Sequence, residues 1–119
     1  MSTPTGDAIT EQWLSELLTG LGDGPDQIHT ALRNAKITGQ RGSRYDCPLA
    51  RYVADHARKR VPSAQVRVRV YEGAVVVEIE ESDTGGYREV GVEQPEAVKR
   101  FVQAFDGGYY LDLVDREAA

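Results

Sequence analysis

One stretch of the chain decides the fold: Gln65-Val-Arg-Val-Arg-Val-Tyr-Glu-Gly-Ala-Val-Val-Val-Glu-Ile-Glu-Glu81. Valine or isoleucine recurs at every second position, which is the period of a β-strand with one face in the core. Glu72-Gly73 interrupts this alternation and suits the two-residue turn of a hairpin. Such a turn places Arg67 opposite Glu78 on the solvent side. On the other side it predicts three apolar pairs: Val66 with Ile79, Val68 with Val77, and Val70 with Val75.

Apolar residues at helical spacing precede the hairpin and predict three helices. The first runs from about Asp7 to Leu21. The second begins near Pro25, a residue that favours the first helical turn, and ends before the next glycine. The third runs from about Cys47 to Arg60, with Asp46 or Cys47 as its N-terminal cap.

The residues after the hairpin predict one more strand and one more helix. Tyr87 to Glu93 continues the alternation of the hairpin as a third strand. Pro95 then opens a helix with an apolar stripe at i, i+3, i+4 and i+7, and Gly107-Gly108 ends it. Tyr109 to Val114 is expected to form a short edge strand.

This order of elements predicts an α+β fold with N-terminal helices, a three-stranded antiparallel meander and a C-terminal helix that covers it. The third and last helices are expected on the valine face of the sheet. At 119 residues the chain suits one domain with a modest core, placed at residues 8–114. Residues 1–7 are predicted to be a disordered tail and residues 115–119 a frayed C-terminus.

The charges of the chain are strongly segregated. Ten of the fourteen Lys and Arg residues lie between Arg33 and Arg69, with two acids among them, so this window has a net charge of +8. The remaining residues have a net charge of −13, and the whole chain has −5. Such a distribution creates a local field that either steers a partner or pairs with the chain's own acids.

Several classes of protein are excluded by composition. No apolar run approaches the roughly 20 residues that span a bilayer, so no membrane partner is expected. The one cysteine, Cys47, excludes an intramolecular disulfide framework and any multi-cysteine metal site. Residues 1–7 have neither a basic nor an apolar signal-peptide region. A cytoplasmic protein without a cofactor is therefore the simplest expectation.

The loop at residues 39–46 is the best candidate for an anion site. Gly39, Gly42 and Cys47 lie where a glycine-containing loop enters a helix, and backbone N–H groups at such a place can face an anion. Arg41 and Arg44 would add charged hydrogen bonds. The loop does not match a P-loop and no strand precedes it. The alternative is that the glycines satisfy turn geometry and the arginines pair with acids elsewhere.

Cys47 is the candidate nucleophile of the chain. A helix N-terminus beside Arg44 would lower the pKa of its thiol, whereas Asp46 opposes the thiolate. His56 lies nine residues further along the same helix, on the order of 13 Å away, so it cannot act as the base. His29 would reach the thiol only through tertiary packing. Cys47 is therefore predicted to be a structural residue, with a Cys47-dependent enzyme or redox protein as the alternative.

Neither histidine suggests a metal site. His29 and His56 lack the spacing to each other or to carboxylates that metal ligands show, so no metal is predicted. His56 lies on the apolar stripe of its helix and is expected to be half-buried. The glutamates after Val77 are typical of a solvent-facing strand, and no apolar pocket is evident to raise the pKa of a carboxyl group.

A basic face is predicted on the loop and on the polar side of the third helix. It consists of Arg41, Arg44, Arg51, Arg58 and Lys59. Part of this charge has an internal explanation, because Arg51–Asp55 and Asp55–Lys59 are spaced for helical ion pairs and Arg69 can reach Glu78. No aromatic-basic platform of the kind that RNA-binding sheets use is expected.

A resemblance to a known group of proteins lies in Ile37-Thr-Gly-Gln-Arg-Gly-Ser-Arg-Tyr-Asp-Cys-Pro-Leu-Ala-Arg-Tyr-Val53. This segment resembles a motif of small actinobacterial and actinophage proteins, in which Gly-x-x-Gly is followed by Cys-Pro-Leu-Ala-x-Tyr. Val92-Glu-Gln-Pro-Glu-Ala-Val-Lys-Arg-Phe-Val-Gln-Ala-Phe-Asp-Gly-Gly108 resembles their terminal helix. The resemblance covers about residues 28–113. It implies a shared fold and origin, and no established activity comes with it.

Three functions remain open from the sequence. The first is a small non-enzymatic accessory or regulatory protein whose basic face binds another macromolecule, most simply a protein. The second is an enzyme or redox protein that uses Cys47. The third is a nucleic-acid-binding module, which the basic face favours and the acidic total opposes.

Overall fold

A computed structural model describes residues 8–81 and 85–115, and shows an α+β fold within them. Helices come first, a three-stranded antiparallel sheet follows, and a helix closes the chain, as the sequence predicts. The elements are α1 (Glu11–Thr19), α2 (Pro25–Asn34), α3 (Pro48–Arg60), β1 (Ala64–Tyr71), β2 (Ala74–Glu81), β3 (Tyr87–Glu93), α4 (Glu96–Asp106) and a 3-10 helix (Leu111–Leu113). The predicted tail at residues 1–7 lies outside the described residues.

The hairpin has the register that the alternation predicts. Val68 lies opposite Val77, and Arg67 lies opposite Glu78. β3 extends the sheet in the order β1-β2-β3, with Val90 beside Val77. The inner face is buried throughout the hairpin at six positions: Val66, Val68, Val70, Val75, Val77 and Ile79. Burial of this one face fixes the register, because a slip by one residue would turn the valines to solvent.

Local capping explains where the helices begin and end. The Thr10 hydroxyl accepts a hydrogen bond from the Trp13 N–H at 3.0 Å, so α1 begins at Glu11 and not at Asp7. α2 ends at Asn34, ahead of the predicted stop, because Lys36 adopts the left-handed conformation with φ +59°. Cys47 caps α3, and its Sγ accepts the Ala50 N–H at 3.4 Å.

The helices divide the sheet between them. α3 packs against β1, as expected, and α1 packs against β3. The main neighbour of α4 is α2, against which Phe101 and Phe105 complete the core. The contact of α1 with β3 was not predicted.

The predicted edge strand at Tyr109 to Val114 is wrong. Tyr110 has φ +60°, and the chain turns there into the 3-10 helix. Val114 alone pairs as a strand residue, in a parallel bridge with Gly39. The Asp115 N–H continues this bridge by donating to the Gly39 carbonyl at 2.8 Å. Residues 116–119 of the predicted frayed end lie outside the described part of the chain.

We expect Val77→Ala to lower the free energy of unfolding by about 1–3 kcal/mol, because Val77 is fully buried in the central strand. Val76→Ala is the matched control, since Val76 lies half-buried on the outer face of the same strand. Urea unfolding of both variants measures the difference. Equal losses would contradict the assigned inner face.

Candidate functional site

The predicted basic face is divided by the structure into separate places. Arg51 and Arg58 line a groove of about 740 Å³ between the α2–α3 connection, α3 and β1. Arg44 lines a different cleft. Lys59 pairs with Asp55 at 3.4 Å, as its spacing predicts, and both side chains are exposed. Arg41 lies near Gly108, where a Cβ atom would come within 3.7 Å of its guanidinium. The five cations therefore do not line a single groove.

We call the first of these places the basic groove. It is defined by four residues of the α2–α3 connection and α3 and by one residue of β1, for which the sequence predicted a different partner. Arg67 was expected to pair with Glu78, but its guanidinium lies over the Tyr45 ring at 4.3 Å. The residues that define the basic groove are Lys36, Tyr45, Arg51, Arg58 and Arg67.

Arg58 and Arg67 have no acidic partner in the described part of the chain. Within residues 8–81 and 85–115, neither residue forms a salt bridge, and the same is true of Lys36. Arg58 donates one long hydrogen bond of 3.4 Å to the Val66 carbonyl. All three side chains belong to exposed residues, so an incoming anion can reach them.

Arg51 is engaged inside the fold. Its guanidinium donates to both oxygens of Asp115 at 2.8 and 2.9 Å and to the Thr38 carbonyl at 3.0 Å. The Thr38 hydroxyl donates to the same carboxylate at 2.7 Å. The hydrogen bonds from Arg51, and then from Thr38, hold the pKa of Asp115 below its usual value. The expected Arg51–Asp55 pair is replaced by this two-pronged bond, which ties the C-terminal segment to α3.

The loop glycines serve the fold. A Cβ atom at Gly39 would collide with the Pro48 nitrogen, so only glycine fits against the start of α3. The Gly39 N–H donates to the Leu113 carbonyl, and the Gly42 N–H donates to the Asp106 carboxylate at 3.0 Å. These N–H groups, which were predicted to face an anion, have partners in the chain. The arrangement matches the turn-geometry alternative.

Cys47 is buried, with 5% of its surface exposed. Burial raises the pKa of its thiol to about 11, and the nearby Asp106 carboxylate adds to the rise, whereas the Ala50 N–H lowers it. The expected lowering by the helix N-terminus is outweighed, because desolvation disfavours the thiolate more. His29 contacts Asp112 and not Cys47, and His56 packs against Tyr52 at 4.5 Å between ring centroids.

A cluster that sequence reasoning missed joins α2 to the C-terminal segment. His29 Nε2 lies 2.8 Å from the Asp112 carboxylate, and this bond holds the pKa of Asp112 below its usual value. The His29 ring stacks on Tyr110 at 4.6 Å, and the Tyr110 hydroxyl donates to Asp26 at 2.8 Å. Burial and then Asp26 raise the pKa of Tyr110 to about 12. No local pattern signals contacts between residues so distant in sequence.

The second place is a cleft beside α4, which we call the α4 cleft. It has a volume of about 550 Å³ and lies between loop residues 42–44, the hairpin turn and α4. Phe101 and Phe105 belong to its apolar lining, and Arg44 and Lys99 supply cations from opposite elements. Sequence reasoning named Arg44 and Cys47 in this cleft but not the α4 residues, because the contact between loop and helix is tertiary.

The outer face of the sheet carries an arginine–tyrosine network that was not expected. The Arg44 and Arg69 guanidiniums lie 5.2 and 5.0 Å from the Tyr71 ring centroid. Arg69 also pairs with Glu78 at 3.0 Å and with Glu89 at 2.9 Å. The two glutamates occupy Arg69, so the network neutralises itself across the strands.

Metal ligands do not cluster in the described part of the chain: no group of three or more His, Cys, Asp or Glu residues there could hold an ion. No helix among the described residues is both long enough and apolar enough to cross a membrane. Comparisons of the chain with protein-family models, curated proteins and solved structures found no match. The resemblance to actinobacterial and actinophage proteins remains a prediction.

Acid should remove the stabilisation that Asp115 provides. The pKa of Asp115 is lowered in the folded protein, so its contribution is complete above the unfolded value near 3.8 and is lost as the pH falls through the folded value. Asp115→Asn should therefore flatten the dependence of unfolding free energy on pH below about pH 4. Arg51→Gln should flatten the same range. Urea unfolding at several pH values tests this, and an unchanged slope in both variants contradicts it.

The thiol of Cys47 should react slowly with iodoacetamide in the folded protein. Because burial raises its pKa to about 11, the alkylation rate should still be rising as the pH approaches that value. The urea-unfolded chain provides the control, in which the thiol is solvated and reacts faster. A rate plateau near neutral pH in the folded protein would restore Cys47 as a candidate nucleophile.

Proposed function

We propose that the protein is a non-enzymatic binding protein whose basic groove holds a short acidic segment of another protein. The observation that carries this proposal is a set of three groove cations that form no salt bridge within the described residues: Lys36, Arg58 and Arg67. They come from three different elements and converge on one concave surface. Charged side chains left unpaired in a groove favour a ligand of opposite charge.

The mixture of cations and acids in the groove lining favours a peptide over a nucleic acid as the ligand. Asp46 and Asp55 belong to the same lining as the cations. A phosphate backbone carries a negative charge at every nucleotide and would bring some of them against these carboxylates. A peptide can place its acids opposite Arg58 and Arg67 and neutral residues opposite Asp46 and Asp55. Arg67 and Tyr45 also offer a flat apolar surface to an aliphatic or aromatic neighbour.

The geometry of Cys47 supports a non-enzymatic protein over the Cys47-dependent alternative. A cysteine nucleophile needs a thiolate and a base within hydrogen-bond reach. Here burial raises the pKa of the thiol, and the chain's own Ala50 N–H is bonded to Sγ. The thiol acts as the N-terminal cap of α3, and its sulfur accepts the Ala50 N–H in this role.

The experiment is a binding titration with a fluorescent peptide of alternating glutamate and leucine residues, followed by anisotropy at several salt concentrations. Wild type should bind the peptide, and Arg58→Glu with Arg67→Glu should weaken binding by at least about tenfold, because two attractive contacts become repulsive. Arg33→Glu with Arg100→Glu is the matched control. It reverses the same number of charges at exposed residues that do not line the groove, so it should leave binding within about twofold.

Two further arms separate the other partners. A single-stranded DNA of equal charge should bind more weakly than the peptide, and stronger binding of DNA would favour the nucleic-acid alternative. Light scattering at the titration concentration shows whether acids of a second copy fill the groove. A dimer that Arg58→Glu with Arg67→Glu dissolves, together with no binding of the peptide, would overturn the proposal of an external partner.

A further inference from the structure

We propose that the α4 cleft is a second binding site, which takes a small amphiphilic carboxylate with its apolar body in the cleft and its anionic end at Arg44 and Lys99. The cleft volume of about 550 Å³ lies in the range of sites for small ligands. The proposal is independent of the basic groove, because the two places share no lining residue.

The walls of the cleft suit an apolar body. Val70 from β1 and Val102 from α4 belong to its lining, together with Phe101 and Phe105. The two phenylalanines pack into the core with 1% of their surface exposed, so they support the wall and do not fill the cleft. Transfer of aliphatic carbon from water to such a surface is favourable.

The mouth of the cleft has two cations that can bind an anion. Arg44 comes from the loop and Lys99 from α4, and neither forms a salt bridge within the described residues. Two acids also line the cleft. Asp106 already accepts the Gly42 N–H, and Glu72 lies exposed on the hairpin turn. The donors that remain open are therefore the guanidinium and the ammonium groups, which match a carboxylate.

The sides of the cleft are held in place by hydrogen bonds to one another. The Val70 N–H donates to the Arg44 carbonyl at 2.8 Å, and the Gly42 N–H donates to Asp106 of α4. The buried Gln94 side chain donates to the Tyr71 carbonyl at 2.6 Å and to the Ala74 carbonyl at 3.2 Å, which holds the hairpin turn in place. A preformed site binds without a further ordering cost.

An amphiphilic carboxylate can be a free small molecule or the C-terminus of a peptide that ends in an apolar residue. The experiment therefore uses octanoate and acetyl-Ala-Ala-Leu with a free carboxylate, each titrated into the full chain and followed by amide-resolved NMR. Octylamine and the amide of the same peptide carry the apolar body without the anion. For octanoate a Kd of about 1 mM is expected from the affinity that so few atoms can supply.

The expected result is a set of shifts at Gly73, Gln94 and Gly107, which border the cleft, with the carboxylates favoured over octylamine and the peptide amide. Lys99→Gln should weaken octanoate binding about tenfold. Lys59→Gln should not weaken it, because Lys59 does not line the cleft and pairs with Asp55. Val102→Glu is the second variant, and it should abolish binding by placing an acid in the cleft. Binding of the peptide carboxylate alone also supports the site and identifies its source.

The sole cysteine gives an independent readout, because Cys47 lines this cleft. Bound octanoate should slow alkylation of the thiol in wild type and not in Lys99→Gln. The proposal is overturned if no carboxylate shifts the bordering residues at about 10 mM, a concentration that would saturate a site of the expected affinity. Equal or tighter binding of octylamine also overturns it, since Glu72 and Asp106 would then set the selectivity.

Discussion

The close approach of Gly39 to the start of α3 is the contact on which both candidate sites depend. The missing side chain lets the loop backbone lie against Pro48, and the bridge from Gly39 to Val114 fixes the loop from its other side. Thr38 and Tyr45 on this segment then line the basic groove, and Gly42 and Arg44 line the α4 cleft. A larger residue at position 39 would move the segment and alter both places at once.

The segregated charge of the sequence is only partly free in the structure. Arg51 is bonded to Asp115, and Arg69 to Glu78 and Glu89, so these cations serve the fold. Arg60 lies over the Trp13 ring and donates to the Ala8 carbonyl. Such internal pairs fix orientation more than they add stability at exposed sites. What remains for a partner is a small subset of the basic window, concentrated at Lys36, Arg58 and Arg67.

The sequence predicts the elements with local signals and misses the contacts that build the sites. The alternation around Glu72-Gly73 sets the hairpin register, because only one register buries every inward valine. The contacts of Arg51 with Asp115 and of His29 with Asp112 join distant segments, and no periodicity predicts such pairs. The stretch Tyr109 to Val114 has the composition of a strand, but the left-handed conformation of Tyr110 turns it away.

The position of Cys47 at a helix N-terminus does not determine the pKa of its thiol. The sequence places it correctly at the N-terminus of α3, where the partial positive charge of the helix favours a thiolate. Burial acts in the opposite direction and is stronger, because taking a charge out of water costs more than a few partial charges return. Desolvation is a property of the packed fold and cannot be read from the spacing of residues.

The short range of electrostatic attraction in salt solution favours a short acidic peptide over a long nucleic acid as a ligand of the basic groove. At physiological salt, charges separated by more than about 8 Å are largely screened, so the groove cations act on what lies directly above them. A long nucleic acid would extend beyond the groove and could bring phosphates close to acids in the rest of the chain, which has a net charge of −13 outside the basic window. Each phosphate placed there would be repelled. A short acidic segment ends before it meets those charges, and so it gains the attraction of the groove without that opposing cost.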